Sequence, residues 1–296
     1  MLGINVVQPR ENIMSISSSA VLVELNISVW TAAKLDKGAT QAVISNNNAG
    51  SQSGAFRKNL LAGTSLRKDI SDYAAACRLY NNKVTLPWAD RGGRMLPTSL
   101  FMDYKQQMNV RTAHFNTLTD RLIDNYDNLK HASQIYMGDL YDESDYPSAE
   151  EVREKFGFKL VFSPLPEAGD FRLDVPQQDL AEMREQYEVD FSARLNDAMR
   201  KPWHDLHTLL LSMSEKLSSS SPDEKKRWHD TFVTNAQGMC SLLTNLNITK
   251  DPQLEEARRA LELTMLGADI EELKDDQLVR DNMKQKIDGI LGKFNW

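Results

Sequence analysis

Two long apolar stripes with helical spacing constrain the fold of this chain more than any other feature. The first stripe recurs every seven residues, at Phe101, Met108, Phe115, Leu122, Leu129 and Tyr136. Tyr104, Leu118 and Ala132 occupy the complementary row, which Arg111 and Asn125 interrupt. Apolar residues at this interval line one side of a helix, as in a coiled coil, so we expect one continuous helix of about five heptads.

The second stripe lies between residues 177 and 217. Its members are Leu180, Met183, Tyr187, Phe191, Leu195, Ala198, Leu206, Leu210, Met213 and Leu217. Pro202 should kink this helix near Ala198, because proline removes a backbone donor and clashes with the preceding turn. Since the two stripes match in length, we predict that residues 100–137 pack antiparallel against residues 177–217 in an elongated helical hairpin.

Short strands are predicted outside these stripes. Residues 20–30 alternate apolar and polar side chains, which indicates a strand, or a strand leading into a short helix from Thr31. The same alternation on both sides of a turn-rich loop predicts a β-hairpin over residues 158–175, at the distal end of the helical hairpin. Residues 86–97 contain two prolines and two adjacent glycines, which favour an irregular connector.

Capping residues mark the ends of further helices. Gly138 and Gly267 are typical of helix ends, and residues 46–54 are rich in turn formers and predict a surface loop. Helix starts are predicted at Thr64, Ser148, Ser221, Asp251 and Asp269.

These patterns predict a mainly α fold with a short N-terminal strand. We divide the chain into an N-terminal basic mixed α/β segment (residues 1–97), the long helical hairpin with its β insert (residues 98–220) and a C-terminal helical segment (residues 221–296). The last segment should pack on the hairpin and close a bundle.

Composition is that of a folded cytoplasmic protein. Hydrophobic residues make up 41% and charged residues 26% of the chain, which excludes the disordered and fibrous classes. Two cysteines are too few for a disulfide framework, so a reducing compartment is expected. Residues 1–30 make a poor secretory signal, and no apolar run approaches the ~18 residues of a transmembrane helix.

The net charge of −7 is unevenly distributed. From Trp30 to Arg94 there are ten cations and four anions, a local charge of +6. Arginines beside adjacent glycines suit phosphate contacts, and Trp88 could stack on a base, so this segment is a candidate nucleic-acid or partner-binding surface. Two alternatives stay open: Trp88 is a core side chain, and the basic segment docks on the acidic remainder. The candidate binding residues are Arg57, Lys58, Arg67, Lys68, Trp88, Arg91 and Arg94.

No catalytic signature is present in the sequence. It lacks a Walker A loop, a Gly-x-Gly-x-x-Gly motif and a Gly-x-Ser-x-Gly elbow. His204 and His207 have the spacing of two metal ligands, with Asp197 or Asp205 nearby, but no His-Glu-x-x-His or Glu-x-x-His motif supports a metal site. The acidic turn over residues 139–145 lacks calcium-loop spacing. Cys77 falls on an apolar stripe, which favours a structural thiol. We therefore expect no enzyme, no metal and no cofactor.

Some pore-forming toxins that insert into membranes combine long helical hairpins with a β tongue, as predicted for this chain. The charged residues of the predicted β-hairpin argue against such insertion.

Four segments resemble a family of uncharacterised proteins from tailed phages and prophages. They are Leu25-Asn-Ile-Ser-Val-Trp-Thr-Ala-Ala-Lys-Leu-Asp-Lys37, Thr85-Leu-Pro-Trp88, Arg94-Met-Leu-Pro97, and Phe162-Ser-Pro164 with Gly169-Asp-Phe-Arg172. Members are sometimes encoded near MoxR-type AAA+ ATPases and von Willebrand A proteins. The resemblance implies a phage-encoded protein of the bacterial cytoplasm that acts as partner or adaptor of an ATPase, and it assigns no active site.

The leading functional hypothesis is a non-enzymatic interaction or scaffold protein that assembles with itself. Nucleic-acid binding through residues 30–94 is the alternative. An enzyme whose active site is assembled from distant residues, around His204 and His207 or around Arg91 and Arg94, is third.

Overall fold

The computed structural model describes residues 16–89, 92–166, 177–218 and 231–296 and is mostly helical, with a small antiparallel sheet. The predicted mainly α fold class is therefore confirmed. The helices are α1 (Lys37–Asn46), α2 (Leu66–Val84), α3 (Phe101–Asp124), α4 (Tyr126–Met137), α5 (Ala149–Glu154), α6 (Gln177–Ser218), α7 (Thr231–Leu246), α8 (Pro252–Met265), α9 (Ile270–Asp275) and α10 (Gln277–Lys293). The strands are β1 (Ala20–Ser28), β2 (Ala33–Leu35), β3 (Arg57–Asn59), β4 (Leu86–Pro87), β5 (Arg94–Pro97) and β6 (Gly157–Pro164).

Most predicted helix ends are confirmed by their capping contacts. Ser148 and Glu151 form a complete capping box before α5, and Asp251 accepts hydrogen bonds from two backbone amides at the start of α8. Gly138, with a φ of 50°, follows the last residue of α4. The helix predicted from Asp269 is instead two helices, because Asp276 caps a second start at α10. The start predicted at Ser221 lies outside the described residues.

Strand β1 confirms the first strand prediction, but the short helix from Thr31 is wrong. Residues 33–35 form β2, which pairs antiparallel with β3, and α1 begins only after its cap Asp36. A helix start needs a side chain that satisfies the free backbone amides, and Asp36 supplies it by accepting from Ala39 N at 2.8 Å.

Residues 86–97 are not an irregular connector, which corrects the prediction. Strands β4 and β5 pair antiparallel, and β5 also pairs with β1, in the strand order β4-β5-β1-β6. Pro87 and Pro97 sit at strand ends, where a missing donor interrupts no ladder. Gly92, with a φ of 95°, lies in the turn, where glycine adopts a left-handed conformation without strain.

Strand β6 contains the first half of the predicted β-hairpin, yet its neighbour in the sheet is β1. Residues 167–176, which include the predicted second strand, lie outside the described residues. The segment around residue 160 therefore belongs to the sheet and is not a β tongue carried by two helices.

The chain divides into two compact units that interleave along the sequence. The first unit comprises the described parts of Met1–Glu24, Asn82–Tyr104 and Phe162–Trp296, and the second comprises Leu25–Asn81 and Lys105–Val161. The domains predicted from the sequence follow one another along the chain, at residues 1–97, 98–220 and 221–296. This division stays a prediction.

The long helical hairpin is not confirmed. One continuous helix over residues 100–137 is wrong, because α3 ends at Asp124 and α4 starts anew after Asn125, whose φ and ψ are −101° and 3°. From Lys105 onward this stretch belongs to the second unit, whereas α6 belongs to the first. A heptad stripe identifies which face of a helix is buried, but not what covers it.

Each unit has its own core. In the first unit, α6 runs unbroken through Pro202 and buries its predicted stripe except for Met183 and Tyr187, which are half-buried. Its main packing partner is α10. In the second unit, Phe115, Leu122 and Tyr126 pack with Trp30 and Ile70. Within the described ranges, no helix is long and apolar enough to cross a membrane.

Candidate interaction surface

The predicted binding residues are spread over both units. Arg57, Lys58, Arg67 and Lys68 lie in the second unit, on β3 and in the first turn of α2, whereas Trp88 and Arg94 lie in the first. Arg91 lies outside the described residues.

Lys58 is a buried structural cation. Its side chain is 7% exposed, and its ammonium lies 2.5 Å from an Asp145 carboxylate oxygen and 3.4 Å from Asp36. It also donates to the Leu140 carbonyl at 2.9 Å. Contact with Asp145 is the main reason that the pKa of Lys58 is raised. Carboxylates of its own chain already neutralise Lys58, which argues against the prediction that it binds a nucleic acid or a partner.

The other basic residues of the second unit are exposed to different degrees. Lys68 forms an exposed i,i+4 ion pair with Asp72 at 2.5 Å. Arg57 is exposed and Arg67 is half-exposed, and no ion pair of either is found among the described residues. Arg57 and Arg67 are therefore the cations of the predicted surface that stay available to a ligand.

Arg94 and Trp88 are held by contacts within the first unit. The Arg94 guanidinium donates to Thr85 Oγ1 at 2.6 Å, to the Thr85 carbonyl at 3.1 Å and to the Asn82 carbonyl at 3.4 Å. Burial is the largest cause of its lowered pKa. Trp88 meets Phe191 edge to face at 5.0 Å between ring centres. The interpretation of Trp88 as a core side chain therefore fits the structure better than base stacking.

The histidines and cysteines have structural surroundings. His204 is exposed, and the His207 ring stacks on Trp296, 4.9 Å away with the ring planes 12° apart. Within the described ranges, no three His, Cys, Asp or Glu side chains lie close enough together to hold a metal ion. Cys77 is buried, and burial is the main cause of its raised pKa, which lowers its reactivity at neutral pH.

The acidic turn after α4 is also structural. Asp142 accepts hydrogen bonds from the backbone amide and the hydroxyl of Ser144 and so caps a short 3₁₀ turn. Asp145 faces Lys58, and Glu143 faces Lys130 at 2.9 Å. These carboxylates are held apart by separate contacts.

Three exposed apolar side chains lie around the end of α4. Ile135 is 86% exposed and Tyr136 is 71% exposed, and Leu140 follows in the next turn. A Cβ on Gly63 would lie 2.6 Å from the Tyr136 ring, so the ring rests directly on that backbone. We call Ile135, Tyr136 and Leu140 the 135–140 patch. The heptad pattern predicts that Tyr136 is buried in the seam. The one sequence signal against this is Gly138, which ends the helix two residues later.

A second apolar feature is a groove of about 420 Å³ between α1 and the loop that follows it. Its lining includes Thr40, Val43, Ile44, Ala49, Ala55 and Phe56. We call this the α1 groove. Sequence reasoning missed it because α1 was not predicted, although Asp36 has the capping chemistry that precedes many helices.

Comparison of this chain with family models, with curated proteins and with solved structures gave no match.

Proposed function

We propose that this chain is a non-enzymatic, phage-encoded interaction protein that associates with itself through the 135–140 patch. The observation behind self-association is that two large apolar side chains, Ile135 and Tyr136, are adjacent and mostly exposed. Single exposed apolar residues are ordinary on protein surfaces, but a group of them is typical of binding sites. Tyrosine is enriched where proteins meet, because it combines a large apolar ring with a hydroxyl.

The polar groups support the same proposal. Lys58 is neutralised by carboxylates, Arg94 is tied to backbone carbonyls and His207 is stacked on a tryptophan. These contacts give Lys58, Arg94 and His207 structural roles. We therefore favour a binding role over catalysis for the chain.

The resemblance to phage proteins supports the part of the proposal that concerns a phage-encoded protein. It implies a protein of the bacterial cytoplasm and makes a MoxR-type AAA+ ATPase the first partner to test after the chain itself.

Self-association is tested by sedimentation velocity over a series of protein concentrations. We expect the wild-type sedimentation coefficient to rise with concentration, and the rise to be lost in Ile135→Ser and Tyr136→Ser. Burying an isoleucine side chain contributes about 1.5–3 kcal/mol, so each substitution should weaken dimerisation by roughly tenfold or more. Leu79→Ser is the matched control, because Leu79 is 72% exposed in the same unit but lies on α2.

Two outcomes would refute the proposal. One is a wild-type protein that stays monomeric at every concentration. The other is an assembly that Leu79→Ser weakens as much as Tyr136→Ser does.

Nucleic-acid binding is the second candidate. It is favoured by Arg57 and Arg67, because no ion pair of either is found in the part of the chain that the structure describes.

A further inference from the structure

The α1 groove has firmly positioned walls. The amide of Asp36 donates to the Phe56 carbonyl at 3.0 Å, and the amide of Phe56 donates to Thr40 Oγ1 at 2.9 Å. At the other end of the loop, the Ala49 amide donates to the Ile44 carbonyl at 3.0 Å. These bonds join both ends of the loop to α1 or its cap, so the groove between them is preformed.

The groove offers a ligand mainly apolar contacts. The Thr40 hydroxyl already donates to the Asp36 carbonyl, and the side-chain amide of Asn47 already donates to the Val43 carbonyl at 2.8 Å. Val43 is 52% exposed, so part of the wall is apolar surface in contact with water. A volume of about 420 Å³ accommodates a few large side chains.

The charges of the segment that forms the groove have one sign. Residues 37–57 contain two cations, Lys37 and Arg57, and no carboxylate. Asp36 is the nearest acidic residue in sequence, and its carboxylate caps α1 and faces Lys58. The segment that lines the groove therefore has an exposed cation at each end in sequence and no carboxylate within it, which favours a ligand with negative charge.

We propose that the α1 groove binds an acidic peptide segment of a protein partner, with large apolar side chains in the groove and carboxylates near Lys37 and Arg57. Apolar burial supplies the affinity, and the two cations select acidic over basic segments. This surface differs from the 135–140 patch, so the proposal does not depend on self-association.

The probe is a fluorescein-labelled peptide that alternates glutamate with leucine, measured by fluorescence anisotropy with the full chain. One comparison peptide has lysine in place of glutamate, and a second has serine in place of leucine. We expect the glutamate–leucine peptide to bind, the lysine–leucine peptide to bind at least tenfold more weakly, and the glutamate–serine peptide to give no signal. Binding should weaken as salt is added, because the charges lie at the surface.

Substitutions test the apolar wall of the groove and the two cations separately. Val43→Glu should abolish binding of the glutamate–leucine peptide, and Lys37→Glu and Arg57→Glu should each weaken it severalfold. Val110→Glu is the matched control, because Val110 is an exposed valine on α3 of the same unit and does not line the groove. Circular dichroism confirms that each variant keeps its helical content.

Three results would overturn the proposal. The wild-type chain could fail to bind the glutamate–leucine peptide, it could bind the lysine–leucine peptide equally well, or Val110→Glu could weaken binding as much as Val43→Glu. The salt titration of the wild-type chain needs no variant, so the test stands even where a substitution disturbs folding.

Discussion

At the scale of single residues, Lys58 illustrates what a count of charges leaves out. The sequence predicts a basic segment correctly, but the partners of Lys58 include Asp145 and the Leu140 carbonyl, both more than 80 residues away. Such a distant pairing leaves no local pattern. Capping residues such as Ser148 could be predicted because their partners lie within three positions in the sequence.

Replacing Lys58 with methionine should destabilise the protein strongly. The substitution leaves Asp36 and Asp145 without their buried cation, and breaking a buried ion pair costs about 3–5 kcal/mol. Urea unfolding followed by circular dichroism measures the free energy of unfolding. Lys68→Met is the matched control, because the exposed pair with Asp72 contributes little. Equal stabilities for the two variants would show that the Lys58 contacts are not important for folding.

At the scale of elements, the apolar stripes identified buried faces well and helix continuity less well. The predicted stripe of α6 includes Leu195, Leu206 and Leu210, and these side chains are buried. In the first stripe the helix is interrupted at Asn125, whose side chain donates to the Arg121 carbonyl at 2.7 Å. Seven-residue spacing continues across such an interruption, so the pattern alone could not reveal it.

The start of α4 is held by Tyr126, whose hydroxyl donates to the Pro147 carbonyl at 2.9 Å. Burial is the main cause that raises its pKa to about 12 from 10.0. Because the folded state holds the proton more tightly, this contribution to stability is complete below pH 10 and is lost as the pH rises through 12. A shift of this size corresponds to roughly 2–3 kcal/mol.

Tyr126→Phe should therefore make the protein less stable below pH 10, by about 1 kcal/mol for the lost hydrogen bond. It should also reduce the further loss of stability between pH 10 and 12, since phenylalanine has no proton to release. Urea midpoints at both ends of this range measure the effect, and Tyr136→Phe is the exposed control. An alkaline loss in Tyr126→Phe as large as in wild type would contradict the assignment.

At the scale of the whole molecule, the positive charge of residues 30–94 is divided between two units. The mainly α class followed from periodicity, because apolar spacing is a property of each element. The grouping of elements did not follow, since it depends on which buried face meets which. A candidate surface built by adding up charges along the chain therefore included residues that belong to different units, such as Lys58 and Arg94.

Nucleic-acid binding can be tested by the salt dependence of a mobility shift with single-stranded DNA. If Arg57 and Arg67 are the contacts, the logarithm of the binding constant should fall with that of salt concentration with a slope of about −1.4. Arg57→Ala and Arg67→Ala should each reduce this slope by about half, whereas Lys68→Ala is the control with a carboxylate partner. Arg91→Ala examines the predicted residue outside the described ranges. No shift at low salt would end this hypothesis.

The interleaving of the two units has a consequence for how the protein is made. Every residue of the second unit lies between Leu25 and Val161, so the ribosome has synthesised that unit completely before Phe162 is added. The first unit also includes Phe162–Trp296, so it cannot be complete until α6 and the helices beyond it have been made. Because domains generally fold as units during translation, the middle of the chain is the first part that can reach its native state, and a truncated product can contain the second unit complete but never the first.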